Sequence, residues 1–193
     1  MRIKLRLAIA VCVVGLTVEA HASFLHQTQT LSASDQQIVK TFEQRAKDYA
    51  KLREQLEEQM PKLSKEAKPE EIQTHKQQFQ ERVRAARVGA KQGDVFTPEA
   101  STLIRAIIKD EYKGKERVEL RDTVLREADV KAVPLRVNYP YPESQELLEM
   151  APTLLLRLPQ LPKQIRYRFV GRNLLLVDRE NGLIVDYMTN ALP

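Results

Sequence analysis

The distribution of proline constrains this chain most, because it separates a part that can form long helices from a part that cannot. Three prolines precede residue 129, whereas six fall between residues 134 and 162. Proline lacks a backbone N–H and disrupts a helix interior. The sequence therefore predicts an α+β protein with a helical region over residues 34–128. A Pro-rich segment and a β-meander are predicted over residues 129–193.

The helical region begins with two charged segments that carry narrow apolar stripes. Ser34 and Gln37 have the spacing of a capping box, and the first helix should run from there until Pro61. A second helix is predicted from Pro69, a favoured first position, to near Gly89. Because the connection is short, we expect an antiparallel helical hairpin or short coiled coil. The stripes consist of Ile38, Phe42, Tyr49, Leu52 and Leu56, and of Ile72, Phe79, Val83 and Ala86.

A third helix is predicted to form the core of the helical region. It starts at Thr97-Pro98-Glu99, which combines an N-cap, a proline at the first position and an acid near the positive end of the dipole. Its wide apolar face consists of Leu103, Ile104, Ile107, Ile108 and Tyr112. Further helices are predicted at Lys115–Glu127 and Glu143–Met150. The stretch Thr153–Leu158 fits either a helical turn or a buried strand.

The C-terminal segment has the pattern of a three-stranded antiparallel β-meander. Apolar and basic residues alternate from Ile165 to Phe169, which is typical of a half-buried strand. Asn181-Gly182 predicts a two-residue hairpin turn. That turn would pair Asp178 with Val185 and put Asp178 and Asp186 on opposite faces. We therefore expect these acids to be polar strand ends.

The first 22 residues have the three-part build of a signal peptide. A basic start precedes the apolar run Leu7–Val18, and Ala20-His21-Ala22 fits a signal peptidase site. An uncleaved anchor would need about 20 apolar residues. We expect cleavage after Ala22, a flexible leader over residues 23–33, and a periplasmic or secreted product without a membrane span.

Composition argues against several classes of function. The formal net charge of the 193-residue chain is +5, and part of it lies in the predicted signal peptide, so no nucleic-acid partner is predicted. The single cysteine, Cys12, also lies there, so neither disulfides nor thiol chemistry are expected in the product.

No catalytic, cofactor-binding or metal-binding residue is predicted. His26 and His75 are isolated, and no nucleophile elbow or Gly-rich phosphate loop is present. Two alternatives remain open. One is a hydrolase of envelope polymers that uses Asp178 and Glu180, or Glu146 and Glu149. The other is a metal-responsive periplasmic protein, which would require His26 and His75 to converge.

Two groups of basic residues are either ordinary surface charges or docking sites for an anionic partner. The first group lies near the end of the second helix, where positive charge also favours the dipole. The second follows one face of the first strand and the turn beyond it, a face expected to be solvated. The groups are Arg82, Arg84, Arg87 and Lys91, and Arg166, Arg168 and Arg172.

Parts of the chain resemble known groups of exported proteins. Leu161-Pro162, the run Tyr167–Asp178, Leu183–Asp186 and the stretch Lys91–Glu99 resemble uncharacterised exported proteins from acidobacterial genomes. The terminal hairpin is also similar to that of small periplasmic proteins linked to nickel and cobalt homeostasis. Neither resemblance implies a function for particular residues here.

The sequence thus favours an exported, non-catalytic envelope protein that binds another macromolecule or self-associates. The partner would be a protein, an anionic envelope component or a second copy. Thin apolar stripes on charged helices and the lack of site chemistry support this hypothesis.

Export gives the first testable prediction. N-terminal sequencing of the protein isolated from its native host should begin at Ser23, since Ala20 and Ala22 fit the peptidase pocket. A soluble cytoplasmic protein that retains Met1 would contradict the prediction.

Overall fold

Four helices and three strands form the regular structure within residues 31–113, 134–141 and 150–192, which the computed structural model describes. These residues belong to one compact unit. The helices are α1 (Ala33–Glu58), α2 (Pro69–Ala86), α3 (Pro98–Glu111) and α4 (Pro152–Leu155). The strands are β1 (Ile165–Val170), β2 (Asn173–Asp178) and β3 (Ile184–Met188).

The α+β class is confirmed, with a helical N-terminal part and an antiparallel sheet of order β1-β2-β3. The sequence of Thr153–Leu158 fitted either a helical turn or a buried strand. In the structure, its first three residues lie in the short helix α4. The predicted helix over 115–127 lies outside the described residues, and so does the predicted helix over 143–150 except for Met150. The predicted signal peptide and the leader up to residue 30 also lie outside them.

The helix starts follow local chemistry, with one correction. The N-cap of α1 is Ser32, not Ser34, so the helix begins inside the predicted leader. Ser32 Oγ accepts from the Asp35 N–H at 3.1 Å and donates to the Asp35 carboxylate at 2.7 Å. Because Asp35 follows Ser32 by three residues and bonds its hydroxyl, the helix is capped at Ser32 and not at the predicted capping box of Ser34 and Gln37. The start of α3 is confirmed, because Thr97 Oγ1 accepts from the Ala100 N–H at 3.2 Å.

The start of α2 is also confirmed, with Pro69 in the first turn. Its end comes earlier than predicted, at Ala86, where the Arg87 N–H bonds the Val83 and Arg84 carbonyls. Among the helices of the described ranges, none has the length and apolarity needed to cross a bilayer.

The main core lies between the helices and one face of the sheet. The ring of Phe42 lies 5.5 Å from that of Phe96 and stacks on that of Tyr167 at 6.4 Å, centroid to centroid. α1 contacts both α2 and α3. The buried residues of these helices nevertheless belong to one cluster with the sheet. The buried members of the two stripes therefore pack on the sheet and α3, and do not form the separate two-helix seam of a coiled coil.

The other face of the sheet is covered, which corrects the expectation of a solvated face. Leu175, Val177 and Ile184 are buried there with Tyr141, and Leu135 packs on them. Residues 138–141 also pair along β3: the Asn138 N–H donates to the Ile184 carbonyl at 2.8 Å, and the Ile184 N–H donates to the Tyr139 carbonyl at 3.0 Å. Arg166 and Arg168 on this face are half-buried.

The core gives a prediction with an internal control. Phe42 and Phe79 are each 1% exposed, so replacing either with alanine should lower the free energy of unfolding by about 3–5 kcal/mol. Ile72, on the same predicted stripe as Phe79, is 50% exposed, and Ile72→Ala should cost less than about 1 kcal/mol. Urea denaturation measures all three. Equal losses at Phe79 and Ile72 would contradict this packing.

Candidate functional site

The two aspartates of the last hairpin lie on the same face of the sheet, which corrects the prediction of opposite faces. Leu176 pairs with Asp186 and Val177 with Ile184, so Val185 is an extra residue in β3. Such a bulge shifts the side-chain alternation beyond it. Asp178 and Asp186 are both fully buried on the helical side. They are therefore not polar strand ends.

The hairpin turn itself explains the altered register. The Asp178 N–H donates to the Leu183 carbonyl and the Gly182 N–H to the Asp178 carbonyl, each at 3.0 Å, so four residues lie in the loop. Asp178 Oδ1 accepts from the N–H groups of Glu180 at 3.0 Å and Asn181 at 3.3 Å. Only Gly182 of the loop has a positive φ, 75°. The carboxylate thus stabilises a longer turn than Asn181-Gly182 alone predicts.

The second oxygen of Asp178 connects the hairpin to α1. The Tyr49 hydroxyl donates to Oδ2 at 2.8 Å, and Arg53 Nε lies 3.2 Å from the same oxygen. Burial and the nearby carboxylate raise the pKa of Tyr49 well above its ordinary value. The phenol therefore stays protonated and acts as a donor, and both oxygens of Asp178 are engaged by protein groups.

Arg53 joins two further acids to this cluster. Its guanidinium pairs with Glu57 at 3.1 Å, one helical turn on, and contacts the carboxylate of Glu180. It also lies over the ring of Phe79, with Cζ 5.0 Å from the centroid. Burial lowers the pKa of Arg53, but the surrounding carboxylates raise it by more in total. Arg53 thus remains a cation that neutralises buried negative charge.

Asp186 occupies a cradle of backbone amides ahead of α3. Its oxygens accept N–H bonds from Gly93 at 2.9 Å, from Val95 and Phe96 at 2.7 Å each, and from Tyr187 at 2.8 Å. Burial raises the pKa of Asp186, while these four bonds oppose the rise. Asp186 therefore fixes the loop before α3 onto β3 and offers no free oxygen to a substrate.

The members of the basic group predicted at the end of α2 have different roles. Arg87 points into the fold: it lies over the Tyr49 ring at 4.8 Å and donates to Asn138 Oδ1 at 2.6 Å and the Val185 carbonyl at 3.1 Å. Burial lowers the pKa of Arg87. Arg82 and Lys91 are exposed. Arg87 is therefore a structural residue.

Arg84 has a different neighbour, which sequence analysis missed. Its Cζ lies 4.8 Å from the ring centroid of Tyr139, and Cζ of Arg136 lies 4.0 Å from the same centroid. Nothing in the sequence connects Arg84 to a segment some 50 positions further on. The three residues form a cationic aromatic site at the sheet edge.

The second predicted basic group also includes a structural residue. Arg172 donates to the Leu192 carbonyl at 3.2 Å, and its own carbonyl accepts from the N–H groups of Ala191 and Leu192. It therefore fixes the last described residues against the turn between β1 and β2.

Of the two histidines that the metal hypothesis requires, only His75 lies within the described residues. His75 Nε2 lies 3.1 Å from the Pro61 carbonyl, beside a shallow cleft of about 320 Å³. His26 and the pair Glu146 and Glu149 lie outside the described residues. Within residues 31–113, 134–141 and 150–192, no three His, Cys, Asp or Glu side chains are grouped to hold a metal ion.

The contacts of Asp178 generate a prediction about the stability of the fold. Asp178→Asn would place an amide N–H₂ among donors, so we expect a loss of about 2–4 kcal/mol in the free energy of unfolding. Glu180→Gln should cost less than about 1 kcal/mol, because the Glu180 side chain is 52% exposed. Thermal and urea denaturation test both variants, and a neutral Asp178→Asn would show that the buried pair contributes little.

Comparison with protein-family models, with curated proteins and with solved structures found no match to this chain. The two resemblances described above therefore stay predictions.

Proposed function

We propose that this chain is an exported, non-catalytic envelope protein that binds another macromolecule or self-associates. The observation that carries the proposal is a pair of leucines presented to solvent at a fixed position. Leu154 is fully buried, whereas the next two residues, Leu155 and Leu156, are 45% and 88% exposed. Apolar side chains that are exposed next to one another are typical of interaction sites, whereas a single exposed apolar residue is common on any surface.

The leucine pair is held by an ion-pair cluster and is not on a loose loop. Arg157, the next residue, pairs with Asp110 at 2.6 Å and Glu111 at 2.9 Å, both at the end of α3. Hydrogen bonds from Lys113 and from Arg157 lower the pKa of Asp110 to about 2. Leu154 and Arg157, which flank the pair, are both held by the fold. Little conformational entropy is therefore lost when a partner covers Leu155 and Leu156.

The state of the hairpin acids supports a non-catalytic role. A glycosidase needs two carboxyl groups that reach the scissile bond. Asp178 is fully buried, and Glu180 pairs with Arg53. Asp178 therefore serves the fold, and the hairpin does not present a free acid pair.

Capture from envelope extract tests the proposal. The protein should retain a partner that the double variant Leu155→Ser/Leu156→Ser does not retain. Val88→Ser is the matched control, because Val88 is 91% exposed at a separate surface position. Size-exclusion chromatography with light scattering covers the case of self-association. No captured partner and a monomer at all concentrations would contradict the proposal, as would equal capture by the double variant.

A further inference from the structure

The turn between β2 and β3 contains Asn181-Gly182, a dipeptide whose asparagine deamidates readily in an unfolded chain. In this reaction a hydroxide ion removes the Gly182 N–H proton, and the nitrogen forms a bond to Asn181 Cγ. The bond from Cγ to Nδ2 breaks, and the amide leaves as ammonia after taking a proton from water. Water then opens the succinimide ring to aspartate or isoaspartate. Glycine favours the attack because no Cβ obstructs the nitrogen.

The folded turn blocks each requirement of this reaction. The Gly182 N–H donates to the Asp178 carbonyl at 3.0 Å, so the attacking nitrogen is already engaged. Asn181 Oδ1 accepts from the Leu183 N–H at 2.9 Å, which fixes the side chain that would have to turn toward Gly182. Asn181 is also fully buried, so hydroxide and water do not reach it. Deamidation therefore requires the turn to open.

Side chains of α1 and α2 hold the turn closed. Tyr49 of α1 donates to Asp178 Oδ2 at 2.8 Å, and the other oxygen of Asp178 accepts from the Asn181 N–H at 3.3 Å. Gln80 of α2 donates to the Asn181 carbonyl. A local opening that exposes Asn181 has to break these bonds, so its frequency depends on their strength.

The products of deamidation do not fit the closed turn. A new carboxylate oxygen would replace Asn181 Nδ2, which is buried and has no hydrogen-bond partner within the described ranges. The Tyr49 hydroxyl already donates its single proton to Asp178, and Arg53 already faces three carboxylates. A buried charge without partners is strongly destabilising. Isoaspartate would also add a CH₂ group to the backbone of the four-residue loop.

We propose that Asn181 is a deamidation site that the folded hairpin keeps unreactive, and that its modification prevents the opened turn from closing again. The reactive dipeptide and the contacts that bury it lie at the same turn, so the fold alone decides whether the reaction proceeds. Because the loss of ammonia is irreversible, each modified molecule leaves the folded population permanently. Modification at residue 181 thus records how often the hairpin has opened.

Peptide mass spectrometry after incubation in mildly alkaline buffer tests the site. The unmodified protein is incubated folded and unfolded in guanidinium chloride, and the exchange of NH₂ for OH at residue 181 is followed with time. We expect a rate about a hundredfold or more slower in the folded protein, because the reaction then depends on the population of the open turn. A synthetic peptide of Arg179–Leu183, incubated in both solutions, corrects for direct effects of the denaturant. Isoaspartate among the products identifies the succinimide route.

Two tyrosine variants test whether opening of the hairpin controls the rate. Tyr49→Phe removes one bond that closes the turn and should accelerate deamidation of the folded protein about tenfold or more, the equivalent of a hydrogen bond to a charged group. Tyr167→Phe is the matched control, because its buried hydroxyl donates to the Pro159 carbonyl at 2.9 Å, away from the hairpin turn. The control should deamidate at nearly the original rate.

Asn181→Asp supplies one product directly and should lower the urea midpoint of unfolding. Asn190→Asp, at an exposed asparagine, should leave the midpoint nearly unchanged. Equal rates of deamidation in the folded and unfolded protein would overturn the proposal, as would equal acceleration by the two tyrosine variants. An Asn181→Asp protein as stable as the original would overturn it too. An Asn181→Asp chain that does not fold would agree with the proposal, and the unmodified protein still gives the rates.

The deamidation site and the leucine pair consist of different residues, so their tests are independent. Slow deamidation of the folded protein without a captured partner would leave the site standing and remove the proposed function. Partner capture by a protein that deamidates equally fast when folded would do the reverse.

Discussion

The buried carboxylate of Asp178 is the interaction on which the arrangement of helices and sheet depends. It accepts from Tyr49 and lies beside Arg53 on α1, and it also accepts from two backbone N–H groups in the hairpin turn. A buried charge without such partners would cost several kcal/mol. Tyr49 lies 129 positions earlier in the sequence, so the cluster forms only when α1 and the hairpin are both in place. This long-range requirement couples the N-terminal helix to the last strands.

Local signals predicted much of the fold, because they depend on neighbours in sequence. Thr97-Pro98 and Pro69 mark their helix starts, and the alternation of Ile165, Tyr167 and Phe169 gives the buried face of β1. The face of Asp186 could not be predicted in the same way. It depends on the bulge at Val185 and on amides of the loop before α3, and neither leaves a periodic signal.

The candidate sites were less predictable than the fold. The search for chemistry singled out acids and histidines, yet Asp178 and Asp186 serve packing and His75 bonds a backbone carbonyl. The leucine pair proposed as an interaction site depends on exposure and on the contacts of Arg157 with the end of α3. A sequence indicates that Leu155 and Leu156 are apolar, but not that they are exposed while the adjacent Leu154 is buried.

The segment that covers β3 also matters for how the protein behaves at high concentration. Residues 138–141 occupy the hydrogen-bonding groups at the start of that strand, so this part of the sheet is not an open edge. At the opposite side of the described sheet, β1 carries Arg166 and Arg168 between its buried residues. Charged side chains on an edge strand disfavour pairing with strands of other molecules. The covered strand and the charged strand together protect a small three-stranded sheet from growing into aggregates.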